Sequence, residues 1–193
     1  MATLALLAVG KKVENSFEIT EDFKGIDIAA ISADVLFTIS DSDKCTVVCK
    51  DNEKISYDVS VLNGSLEILQ IKAKDNRKWY EHITFFDFGS SKIIVSLPRD
   101  MICSALVETN TGDVTCSPKL SFSDLYIITD TGDVKLEDIK TEKNFSLKTD
   151  TGDATISGIT ANYMKIEADT ADIKLSGGSV TEKLEISTDT GDV

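Results

Sequence analysis

The sequence predicts an all-β fold in the form of a parallel β-solenoid with about 20 residues per coil. Two observations lead to this prediction. The first is a phrase close to Thr-Asp-Thr-Gly-Asp that occurs five times in residues 105–193 at nearly constant spacing. The second is a period-two alternation of apolar and polar residues on both sides of each copy. A repeat of this length that is rich in strand formers is typical of coils stacked on one another.

The centre of the phrase defines the coils. Successive central residues are separated by 20, 20, 19 and 20 positions. The turn repeats are Gly112 with Asp113, Gly132 with Asp133, Gly152 with Asp153, Ala171 with Asp172, and Gly191 with Asp192. Because Gly reaches positive φ without steric cost and Asp can bond nearby backbone, we expect each pair to reverse the chain. Ala171 lacks this freedom, so its turn should differ or its φ should be negative.

The apolar positions around each turn form columns when the copies are aligned. Five residues before the central position stand Val107, Ile127, Leu147, Ile166 and Ile186, and two after it stand Val114, Val134, Ala154, Ile173 and Val193. Each coil should therefore contribute two short strands with inward apolar faces, and a helical period does not fit. The threonines three and one before the central residue have the inward phase, with hydroxyls expected to bond along the stack. The acidic residues have the opposite phase and should face water.

The stacked carboxylates raise the question of a metal. Adjacent coils are about 4.8 Å apart, and each like-charge pair in water costs on the order of 1 kcal/mol, so the column needs no bound cation. Carboxylates in register also suit calcium, which leaves a calcium ladder as the alternative. The calcium-binding β-roll has a glycine-rich nonapeptide instead of this longer repeat. We expect no metal and no cofactor.

The part before the regular coils, residues 16–104, has the same construction with an insertion. Residues 26–35 repeat the degenerate fourth phrase and predict a first coil. Strands are predicted at about 45–49, 55–61, 65–71 and 93–97, and Pro98 ends the last of them. Asn63-Gly64 between two of these strands is a strong hairpin signal. We expect one solenoid domain over residues 16–193, with the regular repeats at 105–193.

One segment departs from the pattern. Residues 72–91 contain a cluster of aromatic side chains, namely Trp79, Tyr80, Phe85, Phe86 and Phe88. Such a segment either folds over the end of the solenoid as a cap or forms a binding loop, since exposed aromatic residues make binding hot spots. The cluster is therefore a candidate interaction surface.

Composition limits the function classes. The chain has 20 basic and 33 acidic residues and a net charge of −13, with no basic stripe, so a nucleic-acid partner is not expected. His82 is the only histidine and stands beside no nucleophile motif, so we expect no enzyme. The four cysteines lack zinc-ligand spacing. Buried free thiols are the default, and a Cys103–Cys116 bridge is the alternative.

The two ends of the sequence suggest a longer native chain. Residues 1–15 are an apolar and linker segment, interpreted as the remnant of an upstream membrane anchor. The chain ends at Val193 inside a predicted strand. An exposed strand edge recruits other chains, so we expect end-to-end self-association through residues 184–193 or through the apolar N-terminal run.

The order of these features resembles the bacterial putative-adhesin family of unknown function. The resemblance is carried by the strand Phe17-Glu18-Ile19, the hairpin strand at residues 64–68, the strand at residues 93–98 that ends in Leu-Pro, and the successive Thr-Asp-Thr-Gly-Asp-Val coils. It covers residues 16–193. It implies a right-handed single-stranded parallel β-helix and a place in the bacterial cell envelope, outside the cytoplasm and anchored to the membrane.

Two functions follow from the residues and the resemblance. The first is a non-enzymatic, adhesin-like interaction scaffold, or an envelope-stress sensing domain, with an unknown protein or carbohydrate partner at the cell surface. The second is a carbohydrate-binding or carbohydrate-active β-helix enzyme that uses the acidic columns. A cleft lined by non-repeated acids beside Lys or Arg would favour the second function, and a smooth, evenly repeated lateral surface would exclude it.

Overall fold

The computed structural model describes residues 12–52, 55–72 and 91–193, and every regular element within them is a β-strand. The strands in chain order are β1 (Lys12–Ile19), β2 (Gly25–Ala30), β3 (Asp34–Ile39), β4 (Cys45–Asn52), β5 (Ile55–Leu62), β6 (Ser65–Lys72), β7 (Lys92–Leu97), β8 (Cys103–Thr109), β9 (Val114–Cys116), β10 (Ser121–Thr129), β11 (Val134–Glu137), β12 (Lys140–Thr141), β13 (Asn144–Thr151), β14 (Ala154–Ser157), β15 (Thr160–Thr170), β16 (Ile173–Ser176) and β17 (Ser179–Thr190). No helix in the described ranges is long and apolar enough to cross a membrane.

The described strands form two sheets that share one core. Sheet I has the order β1-β4-β7-β3-β9-β11-β14-β16. Sheet II has the order β12-β15-β13-β10-β8-β2-β6-β5, with β17 paired to β15. In the regular part the chain alternates between the two sheets, except that the consecutive strands β12 and β13 both belong to sheet II. The fold is all-β and solenoid-like.

The regular strands pair in parallel and in register. Ile127 pairs with Val107 on one side and with Leu147 on the other, and Leu147 pairs with Ile166. Paired residues are therefore 20, 20 and 19 positions apart in these three steps. Each of these four side chains is at most 1% exposed, which confirms the prediction that this column lies inside. Ile186 continues the column and is partly buried.

The predicted first coil is confirmed and lies next to the regular ones. Ile26 of β2 pairs with Ala105 of β8, and Val35 of β3 pairs with Val114 of β9, all in parallel. The chain between β3 and β8 forms β4 to β7. Of these, β6 pairs in parallel with β2 and β7 with β3. The pair β6 and β7 thus stacks outside β2 and β3, although it follows them in sequence.

Antiparallel strands lie beyond this outermost pair. Strand β5 pairs with β6, β4 pairs with β7, and β1 pairs with β4. The predicted hairpin turn is confirmed, with φ of 52° at Asn63 and 80° at Gly64. Both positive values are those that a two-residue hairpin turn requires. Residues 73–90 lie outside the described residues, so the cap and binding-loop interpretations of the aromatic cluster stay predictions.

The core between the sheets is packed by large apolar side chains. The rings of Phe37 in β3 and Phe122 in β10 meet edge to face, with centroids 5.6 Å apart and planes at 84°. Both residues are fully buried, as are Phe145 and Leu125. Such aromatic pairs add about 0.5–1.5 kcal/mol beyond the burial of area. This core holds the two sheets together across neighbouring coils.

We predict that Leu147→Ala lowers the free energy of unfolding by about 2 to 5 kcal/mol, because it leaves a cavity among fully buried neighbours. Lys148→Ala, at the adjacent exposed position, is the matched control and should change stability by less than about 0.5 kcal/mol. Chemical denaturation of both variants measures the effect. A loss below about half a kcal/mol for Leu147→Ala would show that this column is not a packed core.

Candidate interaction surface

The corners between the sheets were predicted only in part. Thr109, Thr129 and Thr149 are buried as expected. Thr111 and Thr131 are exposed, so the prediction that the threonine before the glycine faces inward is wrong. The same holds for Thr151, Thr170 and Thr190. The physical reason is that the corner interrupts the period-two alternation and places two successive residues outside.

The buried threonines close the corner within a single coil. Thr109 Oγ1 accepts a hydrogen bond from Gly112 N at 3.1 Å, and Thr129 Oγ1 accepts one from Gly132 N at 3.0 Å. Along the stack, the hydroxyl of the exposed Thr131 donates to the Asn110 carbonyl at 3.3 Å, and that of the partly buried Thr188 donates to the Ala171 carbonyl at 3.4 Å, as expected for an inward threonine. Thr149 Oγ1 is buried and has no partner among the described residues. Its corner precedes the one at which alanine replaces glycine.

The glycines are required by close approach between coils. A Cβ on Gly132 would lie 1.9 Å from the carbonyl oxygen of Gly112, and a Cβ on Gly112 would lie 1.9 Å from that of Ala33. Neither Gly112 nor Gly132 has a positive φ, so the expectation that these two turns use positive φ is wrong. Ala171 also has no positive φ, which confirms one of the two alternatives stated for it. Gly191, with φ of 135°, does use the conformational freedom of glycine.

The aspartates after the central residue form a hydrogen-bonded ladder. Each exposed carboxylate accepts a bond from the backbone N–H of the equivalent aspartate in the next coil, at 2.9 to 3.2 Å. The ladder runs through Asp34, Asp113, Asp133, Asp153, Asp172 and Asp192. The sequence phase correctly placed these side chains outside but did not reveal the bonds. No three metal-binding side chains within the described ranges form a group that could hold an ion.

A second set of bonds runs in the opposite direction at the same corner. Val114 N donates to the Asp133 carbonyl at 2.9 Å, and Val134 N donates to that of Asp153 at 2.9 Å. Each aspartate is thus held by its backbone carbonyl to the previous coil, by its N–H to the previous carboxylate, and by its own carboxylate to the next coil. The corner is therefore a fixed part of the scaffold, and its carboxylates are engaged in structure.

The cysteine thiols of the described core are buried and mostly protonated. All four cysteines are free and buried, which confirms the default prediction. Burial raises the pKa of Cys45, Cys49, Cys103 and Cys116 from 9.0 to about 12. For Cys49 the nearby Asp51 carboxylate adds to this rise, and for Cys103 so does Cys45. The thiolate needed for nucleophilic chemistry is thus scarce at neutral pH.

A polar cluster is buried where β4, β5 and β6 meet the first coil. Tyr57 donates its hydroxyl proton to Asp51 Oδ2 at 2.7 Å, and Gln70 Nε2 donates to the same oxygen at 3.2 Å. Gln70 Oε1 accepts from the backbone N–H groups of Ile31 and Ser32 at 2.7 and 3.0 Å. Burial, followed by the bond to Asp51, raises the pKa of Tyr57. The cluster links the antiparallel strands to the β2–β3 corner.

An open cleft of about 770 Å³ lies where three loops of the N-terminal part converge. Its lining includes Phe23, Cys45 and Met101 and the basic residues Lys44 and Arg99. The acidic residues are Glu21, Asp22, Asp41, Asp43 and Asp100, and all five are exposed. Lys44 forms an ion pair with Glu18 at 2.5 Å. None of these acids belongs to the repeated columns.

The outer face of sheet II carries exposed apolar side chains that the sequence analysis did not single out. Tyr126 and Ile128 on β10 are 38% and 39% exposed, and Tyr163 on β15 is 45% exposed. Tyr126 pairs with Leu106 on one side and with Ser146 on the other. The period-two alternation contained this signal, because these apolar residues stand at outward positions. Outward apolar side chains at the centre of a sheet mark a contact surface.

A groove of about 470 Å³ lies between the two tyrosines, and we call it the tyrosine groove. It is lined by Tyr126, Asn144, Ser146, Tyr163 and Lys165, among others. Asn144 Nδ2 donates to Asp124 Oδ1 at 2.6 Å, which fixes the amide at its edge. The nearby Glu182 carboxylate raises the pKa of the Tyr163 hydroxyl.

The model of one protein family matches residues 23–193, which is most of the chain. Its description is Toastrack DUF4097. The chain belongs to the Toastrack DUF4097 family. A comparison with curated proteins finds no match.

Two solved structures have folds similar to that of this Toastrack chain. A putative cell adhesion protein from Clostridium sporogenes is 11% identical with a TM-score of 0.56, and the alignment covers 92% of this chain and 100% of that one. A putative adhesin from Bacteroides fragilis is 14% identical with a TM-score of 0.57, covering 94% and 95%. At such identities the likeness concerns the fold alone.

The predicted site residues have different outcomes in the Toastrack structure. The five turn repeats lie at one corner and form the stacked glycine and aspartate columns described above. Trp79, Tyr80, Phe85, Phe86 and Phe88 lie outside the described residues, as does His82. The interaction surface proposed for that aromatic cluster stays a prediction.

We predict that Asp133→Ala lowers the free energy of unfolding by about 0.5–1.5 kcal/mol, because Asp153 N–H loses its acceptor. Asp133→Asn keeps an acceptor oxygen and should stay within about 0.5 kcal/mol of wild type. Asp130→Ala, at the exposed position of the same turn, is the matched control. Thermal and urea unfolding measure all three variants. Equal losses for the alanine and asparagine variants at position 133 would contradict the ladder as an acceptor series.

We predict that the four thiols of the folded protein do not react with a disulfide reagent at pH 8 and that all four react in denaturant. Their pKa of about 12 leaves almost no thiolate at pH 8. The unfolded chain ionises first, so the free energy of unfolding should also fall as the pH rises from about 9 toward 12. Rapid reaction of any thiol in the folded protein would contradict its burial.

Proposed function

We propose that the protein is a non-enzymatic, adhesin-like interaction scaffold exposed at the bacterial cell envelope. The proposal includes a right-handed β-solenoid of about 20 residues per coil that presents its outer sheet to a partner. The observation that carries it is the set of exposed apolar side chains on sheet II, where Tyr126, Ile128 and Tyr163 stand at outward positions. Aromatic residues of this kind are enriched at interaction hot spots.

The rest of the structure supports a rigid presenting role. Parallel pairing in register joins the regular strands of both sheets, and the aspartate ladder adds a bond at each corner. A surface built this way loses little conformational entropy when it binds. The adhesion names of solved structures with a similar fold are consistent with this role, and the proposal includes the apolar segment of residues 1–15 as the remnant of a membrane anchor.

The second candidate, a carbohydrate-active enzyme, is favoured by one observation. The open cleft has non-repeated acids beside Lys44 and Arg99, which is the arrangement that would favour it. However, all five acids are exposed, and a carboxyl group that acts as a general acid needs an environment that raises its pKa, such as burial. The acidic columns that the enzyme would use are bonded into the ladder. The scaffold accounts for more of the structure.

A cell-binding assay tests the scaffold. We expect the fluorescently labelled protein to bind bacterial or animal cell surfaces saturably. We expect Ile128→Arg to weaken this binding at least about tenfold, because it places a charge among the exposed apolar side chains of sheet II. Thr155→Arg, exposed on β14 of sheet I, is the matched control and should bind like wild type. Equal binding by both variants would contradict sheet II as the contact face. Release of sugar from polysaccharides, lost on Asp100→Asn, would instead establish the enzyme.

A further inference from the structure

The tyrosine groove has a geometry that suits one class of partner. Tyr126 lies on β10 and Tyr163 on β15, with β13 between them. Tyr126 is in register with Ser146 and Lys165, whereas Tyr163 is in register with Asn144. The two rings are therefore offset by two strands and two residues, which places their Cα atoms about 12 Å apart on a diagonal. Both rings are exposed at opposite ends of the groove.

The floor between the rings is polar and uncharged. Ser146 and Asn144 occupy the outward positions of the middle strand, so hydroxyl and amide groups separate the two aromatic surfaces. A stable protein partner needs about 800 Å² on each side with an apolar centre. Two separated rings over a polar floor do not provide such a centre. They suit a ligand whose apolar and polar surfaces alternate over a short distance.

The charges beside the groove cancel locally. Lys165 Nζ lies 2.8 Å from Glu167 Oε1, and Lys183 Nζ lies 2.6 Å from Glu185 Oε1. These two pairs have no net charge, although the whole chain carries −13. With the exposed Glu182 carboxylate beside Tyr163, the groove offers no excess of positive charge to attract an anion, while its paired groups still donate and accept hydrogen bonds. This charge pattern matches an uncharged, hydroxyl-rich ligand.

A pyranose ring combines these properties. One face presents C–H bonds, which are attracted to the negative π-face of an aromatic ring, and its edge carries hydroxyl groups that donate and accept hydrogen bonds. We infer that the tyrosine groove binds a neutral pyranose oligosaccharide, with sugar rings on Tyr126 and Tyr163 and hydroxyls toward Asn144 and Ser146. The inference rests on the proposed scaffold function and names its partner class.

The ring and the hydroxyl of Tyr163 can be tested separately. The ring offers a stacking surface, and the hydroxyl, beside the Glu182 carboxylate, offers a hydrogen-bonding group. Tyr163→Phe keeps the stacking surface but removes the hydroxyl, whereas Tyr163→Ala removes both. The two variants therefore separate stacking from hydrogen bonding at one position.

The experiment is a glycan array of neutral, amino and acidic oligosaccharides, followed by calorimetric titration with the neutral oligosaccharide that binds best. We expect neutral glycans to bind, with affinity lowered about five- to tenfold by Tyr126→Ala and by Tyr163→Ala. Tyr126→Phe should retain the affinity, and Tyr163→Phe should fall between wild type and the alanine variant. Ile102→Ala, an exposed apolar residue outside the groove, is the matched control. Unchanged melting temperatures establish that each variant is folded.

Several outcomes overturn the inference. They are the absence of glycan binding, binding of acidic glycans alone, and binding of neutral glycans that both alanine variants leave unchanged. Cell binding that Ile128→Arg weakens, together with no glycan binding, retains the scaffold function with a protein partner and rejects the sugar. If the wild-type protein binds neither glycans nor cells, the scaffold function is rejected as well.

Discussion

The close approach of neighbouring backbones at the corners is the constraint on which the rest of the structure depends. Parallel strands of adjacent coils lie at the spacing set by their hydrogen bonds, and the corner must keep the same spacing while the chain turns. At Gly132 this leaves no room for a Cβ beside the carbonyl of Gly112. A side chain there would require the corner backbone to shift, whereas the fourth corner holds a Cβ at Ala171 and keeps its strands paired with the previous coil on both sides of the turn.

The repeated phrase follows from this constraint and depends on three residue types. A buried threonine closes the corner, a glycine permits the approach, and an aspartate links the coil to the next one. In the ladder each carboxylate from Asp34 to Asp172 accepts a backbone N–H of the next coil. A charge-assisted hydrogen bond of this kind offsets the repulsion between exposed like charges.

A repeated surface presents the same groups in every coil, so recognition has to come from positions that leave the repeat. Tyr126, Ile128 and Tyr163 are such positions, since their columns elsewhere contain Ser146, Lys148 and Lys183. The N-terminal insertion is another departure, with its buried polar cluster at Asp51 and its acidic cleft. In the proposed scaffold, stability resides in the repeated columns and interaction resides in the positions that leave the repeat.

The sequence alone determined the strands, the columns such as Val107 to Ile166, the first coil and the Asn63-Gly64 hairpin, because period-two alternation and turn chemistry are local properties. It could not show that β6 and β7 stack outside β2 and β3, since that order depends on pairing between distant residues. It also placed Thr131 inside and assigned positive φ to Gly132. The direction of a corner side chain and the need for glycine are decided by the neighbouring coil, 20 residues away. The tyrosine groove likewise exists only because stacking brings β10, β13 and β15 side by side, so only the tertiary structure could reveal it.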